Sequence, residues 1–541
     1  MSQLTCQRTI AGLTFLLLMA TLAPGQRAPG IIDVAELSEV ALFAFGQSPG
    51  DQLRVLGTGD FNGDGLSDVL VGSQLADGPD NQRVNAGSAY IIFGNPRGLG
   101  VRDLGSREDL REDVTLFGAE GEDRFGLSAT IGDINGDMVD DIIISAIQAD
   151  GPGNSRENAG EVYIFFGGSD LMTGTIRDVA GQLGREPDIT IFGEERNDTL
   201  GASLALGDVN GDGLDLIIGA PGTFGPGNIR AAAGSVYIIF GGPRLSTPGV
   251  IDLADPPPGA VVVIHGADTL DNAGFAVKAG DLDNDGIDDI VFSAPLGDGP
   301  ANLRRDAGEV YVLFGRRDLA RPSVRDVAGI FGPGVDLTIF GQDPADGLGA
   351  SLAIGDVNGD GVKDLVVGAT GADGPENNRF NAGEVYVILG SPRLRFQNMR
   401  DIAAQVGRAA DLTLFGAASG DQFGFSLNLG ELSGNGIADL IIGAPGVDGP
   451  NNQRANAGAV YVIFGGPNLI NGLRRDMAEQ VGPPADLTLL GPDPGVSFGV
   501  TTAVADLDGD RVNDLIVSAP FVGGPNNTRP GSGGAFVISG R

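Results

Sequence analysis

The chain repeats one acidic stretch, Asp60-Phe61-Asn62-Gly63-Asp64-Gly65-Leu66-Ser67-Asp68, which runs at once into the apolar residues Val69-Leu70-Val71. Six further copies begin at intervals of 73, 75, 73, 75, 75 and 75 residues, at Asp133, Asp208, Asp281, Asp356, Glu431 and Asp506. A period this regular predicts one structural unit copied seven times. The repeat therefore predicts a single closed array over residues 31–541, although a chain of 541 residues would otherwise suggest roughly three or four domains.

Each unit of about 75 residues also contains short apolar runs. They are four to seven residues long, rich in Val, Ile, Tyr and Phe, and bounded by Gly, Pro, Asn and Asp, which is typical of strands. Two runs per unit are apolar throughout, as in strands that are buried on both faces. With four strands per unit and 90 glycines, the chain is predicted to be all-β, a seven-bladed β-propeller of four-stranded blades.

The two ends of the chain predict how the array closes. The seventh unit stops after its third strand, Ala535–Ile538, whereas the chain begins with an isolated Ile31-Ile32-Asp33-Val34-Ala35 segment. Similar Asp-Val-Ala segments precede the later units, for example Ile176–Ala180. We therefore expect the N-terminal strand to join the last blade and to cover its open edge.

The beginning of the chain has the pattern of a secretory signal peptide. Residues 1–23 combine Arg8, an apolar run from Ile10 to Leu22 and a small residue at a cleavage site, and a linker follows at 24–30. The single cysteine, Cys6, lies inside this leader. We expect a secreted, extracellular or cell-surface protein without a transmembrane segment in the mature chain, since no later apolar run approaches about 20 residues. A short membrane anchor is the alternative interpretation of the leader.

The formal net charge of -37 and the pI near 4.1 restrict the class of partner. Nucleic acids and anionic lipid surfaces are polyanions and would be repelled by such a chain. Many of the acidic residues lie in the repeated loops, so cations are the natural partners.

Two further motifs carry a resemblance to a known family. They are the Phe-Gly pairs at 125–126, 423–424 and 498–499 and the Gly-Ala-Pro triplets at 219–221 and 443–445. Together with the acidic loops between them, these motifs resemble the FG-GAP repeats of the integrin alpha-subunit head. The resemblance implies a propeller with structural calcium in the blade loops. It also implies recognition or cell adhesion, with an extracellular protein or glycan bound on the face opposite the calcium loops.

The acidic loops supply oxygen atoms at alternate positions, as calcium ions require. Side chains at positions 1, 3, 5 and 9 and the backbone carbonyl at position 7 are the expected ligands, and the sharp turn at position 6 favours glycine. The predicted ligands are Asp60, Asn62, Asp64, Leu66, Asp68, Asp133, Asn135, Asp137, Val139, Asp141, Asp208, Asn210, Asp212, Asp281, Asp283, Asp285, Ile287, Asp289, Asp356, Asn358, Asp360, Val362, Asp364, Asp506, Asp508, Asp510, Val512 and Asp514.

The seven loops are not equivalent. Loops one, four and five are complete, and loop four, which combines four carboxylates with glycine at position 6, is expected to bind calcium best. Loops two and seven place Met138 and Arg511 at position 6 and are expected to bind less tightly. Loop three has lost one residue, which moves Asp215 to position 8, and loop six (Glu431, Ser433, Asn435, Asp439) is expected to be empty. The alternative interpretation of all these loops is that they are Asx-rich turns that need no ion.

A second motif, Gly-Pro-x-Asn-x-Arg, recurs in every unit between the second and third strands. Its arginines allow two interpretations: a ring that contacts an acidic partner, or structural forks, each onto a carboxylate of a neighbouring blade such as the aspartate of the Asp-Val-Ala segment. We favour the structural interpretation, because a binding site rarely needs seven identical copies. The arginines are Arg83, Arg156, Arg230, Arg304, Arg379, Arg454 and Arg529.

Residues suited to catalysis are scarce. His265 is the sole histidine and replaces a packing aromatic of the sister units, so neither a Ser-His-Asp triad nor a zinc cluster is readily assembled. The sequence therefore predicts that the protein is not an enzyme and acts as a calcium-binding adhesion module. The alternatives are a calcium-dependent hydrolase, lyase or lectin acting on polysaccharide, and a structural component of a matrix or envelope.

Overall fold

The computed structural model of the protein describes residues 30–36, 41–97, 99–105, 114–169, 171–172, 174–405, 408–469, 474–481 and 483–540. The predicted signal peptide, Cys6 and residues 24–29 of the linker lie outside the described residues. The helices of the described part are single 3-10 turns, most of them formed by the Gly-Pro-x-Asn motif. None of its helices is long and apolar enough to cross a membrane.

The chain forms a seven-bladed β-propeller in which each blade is a sheet of five strands. The first four strands are antiparallel, and the fifth runs parallel to the fourth. First strands of successive blades pack against one another around the axis, including those of blades 7 and 1. Sheets buried on both faces are stable only when stacked in this way, because each sheet covers its neighbour.

The strands of a blade are counted outward from the axis, from the first to the fifth. Blade 1 contains Arg54–Gly59, Asp68–Ser73, Ser88–Ile92, Val114–Phe117 and Ile176–Asp178. Blade 2 contains Phe125–Gly132, Asp141–Ala146, Glu161–Phe165, Ile189–Phe192 and Gly249–Asp252. Blade 3 contains Ser203–Gly207, Asp215–Ala220, Ser235–Ile239, Val261–His265 and Val324–Asp326. Blade 4 contains Val277–Gly280, Asp289–Ala294, Glu309–Leu313, Leu337–Phe340 and Met399–Asp401.

The remaining blades follow the same order. Blade 5 contains Leu348–Gly355, Asp364–Ala369, Glu384–Ile388, Leu412–Phe415 and Arg474–Asp476. Blade 6 contains Ser426–Gly430, Asp439–Ala444, Ala459–Ile463, Leu487–Leu490 and Gly30–Asp33. Blade 7 contains Thr502–Ala505, Asp514–Ala519, Gly534–Ile538, Ala41–Phe45 and Arg102–Asp103.

The expected count of four strands per blade is wrong, because each Asp-Val-Ala segment adds a fifth strand to the blade before it. Ile176–Asp178, for example, follows the third strand of blade 2 in the chain but pairs with Val114–Phe117 of blade 1, and the chain then returns to blade 2 for its fourth strand, Ile189–Phe192. The added strand covers an edge that would otherwise present unpaired backbone groups to solvent.

The N-terminal segments occupy two blades. Gly30–Asp33 pairs with Leu487–Leu490 and is the fifth strand of blade 6, whereas Ala41–Phe45 pairs with Gly534–Ile538 in blade 7. The expectation that Ile31–Ala35 completes the last blade is therefore wrong in detail. The Asp-Val-Ala segment behaves like its relatives and joins the preceding blade, and the next segment supplies the missing fourth strand.

The hydrophobic core lies between adjacent blades. The second strand of every blade is buried at all six positions, as its unbroken apolar pattern predicted. Between blades 5 and 6, for example, Val385 and Leu414 pack in one cluster with Phe423 and Tyr461. Close approach makes some glycines obligatory: a Cβ on Gly368 would lie 2.4 Å from the carbonyl oxygen of Gly424 in the next blade.

The seven arginines of the Gly-Pro-x-Asn-x-Arg motif form ion pairs with the fifth strands. Arg304, for example, donates from Nη1 to Asp401 Oδ1 and from Nη2 to Asp401 Oδ2, each at 2.6 Å, and also to the carbonyl of Gly341. The structural interpretation is therefore confirmed, and the ring of free arginines for an acidic partner is wrong. The expectation that each pair joins neighbouring blades is also wrong, because each arginine and its aspartate belong to the same blade. The pairs are Arg83–Asp178, Arg156–Asp252, Arg230–Asp326, Arg304–Asp401, Arg379–Asp476, Arg454–Asp33 and Arg529–Asp103.

We predict that Arg304→Ala destabilises the propeller by about 3–5 kcal/mol, because Asp401 would remain fully buried without its cation. The midpoint of chemical denaturation, followed by circular dichroism, measures the loss. Arg305→Ala is the matched control, since its neighbouring side chain is 88% exposed and should cost less than about 0.5 kcal/mol. Equal midpoints for the two variants would contradict the structural role of the pair.

Candidate metal loops

All seven acidic loops connect the first strand of a blade to the second, so they lie at the same end of the propeller. In loop one, Asp60 Oδ1 accepts backbone N–H bonds from Gly63 (2.8 Å) and Asp64 (3.0 Å), and Oδ2 accepts one from Gly65 (2.8 Å). Asn62 Oδ1 accepts a further bond from Asp64 N. The loop backbone thus holds the oxygens of positions 1 and 3 inside the turn.

The aspartate that opens the second strand has a structural role that sequence reasoning missed. Asp68 Oδ2 accepts from the N–H of Phe61, and Oδ1 accepts from the N–H of Gly94 beyond the third strand. The same two bonds recur in every blade, at Asp141, Asp215, Asp289, Asp364, Asp439 and Asp514. The signal was present in the sequence, because loop six keeps Asp439 although it has lost other ligands.

Three loops bring three carboxylates together, with oxygens within 4.8 Å of one another: loop three (Asp208, Asp212, Asp215), loop four (Asp281, Asp283, Asp285) and loop seven (Asp506, Asp508, Asp510). In loop three, Asp215 reaches the cluster although the loop is one residue short. Loops one, two and five offer Asn62, Asn135 and Asn358 at position 3, so an amide oxygen takes the place of one carboxylate.

Loop six satisfies its polar groups internally. The Ser433 hydroxyl has two carboxylate oxygens within hydrogen-bond distance as acceptors, Glu431 Oε1 at 3.4 Å and Asp439 Oδ1 at 3.2 Å. Asn435 Nδ2 donates to the carbonyl of Gly465. This loop is therefore held together without an ion, and its emptiness stays a prediction.

Position 6 needs a left-handed backbone, as expected. Gly65 has a φ of 86°, and Met138 and Arg511 adopt φ values of 71° and 70° in loops two and seven. A side chain in this region costs about 1 kcal/mol or more relative to glycine. Loops two and seven therefore keep the turn at some cost in conformational energy.

The carboxylates in these loops are close together and partly buried. Burial, together with smaller contributions from neighbouring carboxylates, raises the pKa of Asp289 to about 8 and that of Asp68, Asp215 and Asp364 to about 7. In loop four, Asp283 is 2% exposed, and its buried Oδ1 has no hydrogen-bond partner among the described residues. Such a site favours a bound cation, which would offset the repulsion between the carboxylates.

One basic side chain enters loop four. Arg395 belongs to the 3-10 turn Leu394–Phe396 that follows the third strand of blade 5, and this segment is tied to loop four by a bond from Ser391 N to Leu282 O. Its guanidinium donates to Asp283 Oδ2 and, at 2.7 Å, to Asp285 Oδ2. The sequence could not reveal this contact, because the arginine lies 110 residues after Asp285.

His265 ends the fourth strand of blade 3 in the position of a packing residue. Its Nδ1 lies 3.0 Å from Ser235 Oγ, and burial lowers the pKa of the imidazole to about 4. Ser235 is fully buried, and Asp326, which pairs with His265 in register, is bonded to Arg230. These three residues therefore do not form an accessible catalytic triad.

At the end of the propeller opposite the acidic loops, a buried aspartate recurs in the turn that enters a blade. Asp346 accepts the N–H of Asp343, and burial raises its pKa to about 7, with Glu384, Asp343 and Asp373 adding to the rise. Glu384, which accepts the Tyr386 hydroxyl, also has its pKa raised by burial to about 7. The aspartates of this set are Asp51, Asp123, Asp198, Asp271, Asp346 and Asp421.

A carboxyl whose pKa is raised in the folded state stabilises the fold fully below its unfolded pKa of about 3.9, and this contribution is lost as pH rises through about 7. We predict that Asp346→Asn, which keeps the acceptor for Asp343 N, reduces the fall of stability between pH 5 and 8 by up to about 1.4 kcal/mol per pH unit. Denaturation at a series of pH values and constant calcium measures this slope. Asp255→Asn, at an exposed residue, is the control and should leave it unchanged.

Seven stacked sheets with an acidic loop at the same end of each define the class of protein. The FG-GAP repeat model matches six segments, residues 54–92, 200–239, 273–313, 348–388, 423–463 and 498–538. Each segment covers the first three strands of a blade, and blade 2 lies outside the matched residues. The chain thus contains six FG-GAP repeats, as its sequence motifs indicated.

Several known proteins are similar to this chain. Phosphatidylinositol-glycan-specific phospholipase D of Bos taurus is 27% identical over 480 residues, 85% of this chain and 51% of that protein. The Homo sapiens protein of the same name is 26% identical over 484 residues, again 85% and 51%. Integrin alpha-PS2 of Drosophila melanogaster is 28% identical over 328 residues, 58% of this chain and 20% of that protein. The chain thus spans about half the length of the phospholipase relatives.

The expectation that the protein is not an enzyme is contradicted by these relatives. Two proteins named for an enzymatic activity are similar to 85% of this chain. The expectation rested on the scarcity of histidine and cysteine in the propeller. That scarcity does not decide whether a protein that contains such a propeller is an enzyme.

Proposed function

We propose that this protein is a calcium-stabilised propeller that acts as an extracellular recognition module. The observation that carries the proposal is the convergence of side-chain oxygens in the acidic loops, with the buried and unpartnered Asp283 Oδ1 among them. Carboxylate, amide and backbone oxygens in a flexible loop are the donor set that calcium prefers. A bound ion would supply positive charge between carboxylates that otherwise repel one another.

The loops would hold the ion through positions 1, 3 and 5, and the position-9 aspartate would serve two purposes. In loop one, for example, Asp60, Asn62 and Asp64 surround the turn, while Asp68 fixes the start of the loop to the end of the third strand. Calcium would then rigidify the end of every blade that keeps the ligand set. Extracellular calcium modules have dissociation constants of about 10⁻⁴ to 10⁻³ M, so these ions would be structural.

The recognition part of the proposal is supported by the similarity to integrin alpha-PS2 over 58% of the chain. A rigid ring with one end fixed by calcium leaves the connections at the other end free to contact a partner. We propose that this opposite face binds an extracellular protein or glycan, and that the protein is secreted or associated with the cell surface.

Native mass spectrometry in millimolar calcium tests the metal part of the proposal. We predict about five or six bound ions per chain, one for each loop that keeps its side-chain ligands, and a lower melting temperature after chelation. Asp360→Ala in loop five should remove one ion, whereas Asn435→Ala in loop six should remove none. A chain that binds no calcium and melts at the same temperature with and without chelator would contradict calcium stabilisation.

Calcium titration also tests loop four, where Arg395 pairs with two of the predicted calcium ligands. Because the guanidinium and calcium compete for these carboxylates, we predict that loop four binds calcium more weakly than its four aspartates suggest. Arg395→Gln should tighten this site about tenfold and lower the melting temperature in chelator. Arg393→Gln, two residues away on the exposed side of the same turn, should do neither. Equal calcium titrations for both variants would contradict the competition.

A second candidate function is a part in the cleavage of phosphatidylinositol-glycan anchors. The observation that favours it is the similarity of 85% of the chain to two proteins named for that activity. Within the described residues, the carboxylates of the acidic loops are the groups best placed for metal-assisted hydrolysis. Release of a glycan-anchored protein from detergent micelles by the purified chain would support this candidate, and no release under conditions that suit a phospholipase of this type would exclude it.

A further inference from the structure

Five exposed apolar side chains cluster around Arg230 in blade 3. Phe224, Ile229, Leu270, Ile330 and Phe331 are 39%, 65%, 61%, 70% and 49% exposed, and we name them the Arg230 patch. Arg230 N donates to Phe224 O at 2.8 Å, and the Arg230 guanidinium carbon lies 5.9 Å from the centre of the Phe331 ring. Leu270 N donates to Ala231 O at 2.9 Å, which brings the entering turn of blade 4 alongside.

The sister blades show that Phe224 replaces a structural aspartate. In five other blades this position is aspartate, whose Oδ1 accepts the backbone N–H of the residue eight positions later, as Asp150 does from Asn158 N at 2.8 Å. Blade 3 gives up this hydrogen bond and presents an aromatic ring to solvent. The five aspartates are Asp77, Asp150, Asp298, Asp373 and Asp448.

Ile330 and Ile229 also replace polar residues. The equivalents of Ile330 include Gln182 and Gln480, whose Oε1 atoms accept from the arginines of their own blades at 3.2 Å and 3.0 Å. The position of Ile229 is polar in five of the other six blades, and Leu303 of the adjacent blade 4 is the remaining apolar residue. Those five polar residues are Gln82, Ser155, Asn378, Gln453 and Thr528.

These replacements do not serve the fold. An apolar residue that stabilises a propeller is buried between blades, yet all members of the Arg230 patch keep more than a third of their surface exposed. Single exposed apolar residues are ordinary, but a group of five in which Phe224, Ile229 and Ile330 replace polar residues of the repeat marks a contact surface. The patch lies on connections at the end opposite the acidic loops, so it occupies the face to which recognition was assigned.

The charges beside the patch indicate what binds there. Glu195 accepts from the amide of Asn228, directly before Ile229, and the exposed Asp268 precedes Leu270 by two residues. The charge of Arg230 is already balanced by Asp326. A second copy of this chain, with its own net charge of -37, would be repelled, as would an anionic membrane.

We propose that the Arg230 patch binds a polypeptide segment that presents apolar side chains flanked by Lys or Arg. Apolar contacts with Ile229, Leu270 and Ile330 would supply the affinity, and Glu195 and Asp268 would select the cationic flanks. This inference rests on the recognition function proposed above and specifies the surface and the chemistry of the partner.

Selection of phage-displayed random dodecapeptides on the immobilised full chain in millimolar calcium tests the proposal. The test variant is Phe224→Asp/Ile229→Ser/Ile330→Gln, in which every new residue is the one that a sister blade carries at that position. The control variant is Val84→Ser/Phe380→Ser, which removes two exposed apolar residues from blades 1 and 5. Melting curves of both variants establish that the propeller is intact.

We expect enriched peptides that combine apolar residues with Lys or Arg, bind the control variant like the original chain, and bind the test variant at least about tenfold more weakly. Replacing Lys and Arg by Glu in these peptides should abolish binding. Peptides that bind both variants equally would overturn the patch while leaving a recognition function at another surface. No enrichment, or a dimer of the chain in sedimentation that the test variant abolishes, would overturn the proposed partner.

Discussion

The propeller depends on burial of both faces of every sheet. The second strand of each blade has no exposed residue, so a blade is stable only when another blade covers each of its faces. Apolar packing of this kind sets the distance between blades but not the position of the loops at their ends. Those positions are fixed by buried carboxylates, each with hydrogen-bond donors arranged around it.

Three sets of repeated aspartates fix the positions of these loops. The fifth-strand aspartates receive the arginine forks, as Asp401 does from Arg304. The position-9 aspartates join the acidic loop to the end of the third strand, and the aspartates of the entering turns accept a backbone N–H from three residues earlier. Buried carboxylates without such donors would cost several kcal/mol each, so every repeat must keep the donors together with the acids. Many of the 71 acidic residues are thus part of the framework.

Much of the fold could be predicted from the sequence, because the period and the apolar runs specify seven units of short buried strands. The fifth strand could not, since Ile176–Asp178 is three residues long and pairs with a strand that lies about 60 residues earlier. The arginine pairs were predictable because both partners recur in every unit. Arg395 was not, because the equivalent turns of other blades carry residues such as Ser246 and Ala320 at this place, so no repeated basic residue indicates the contact. Ranking the loops by their number of acidic residues therefore accounts for the calcium ligands but not for Arg395, which competes with calcium for them.

Sevenfold repetition separates structural residues from functional ones. A residue present in all blades serves the fold, as the arginines and the position-9 aspartates show. Function that is specific to this chain must then lie where one blade departs from the others without a structural gain. Blade 3 departs in this way at Phe224, where an exposed ring replaces a hydrogen-bonded aspartate, and at Ile330, where an exposed aliphatic side chain replaces a glutamine that braces an arginine. Because the sister blades show which residues the fold prefers at these positions, the loss of polar contacts there is best explained by contact with a partner.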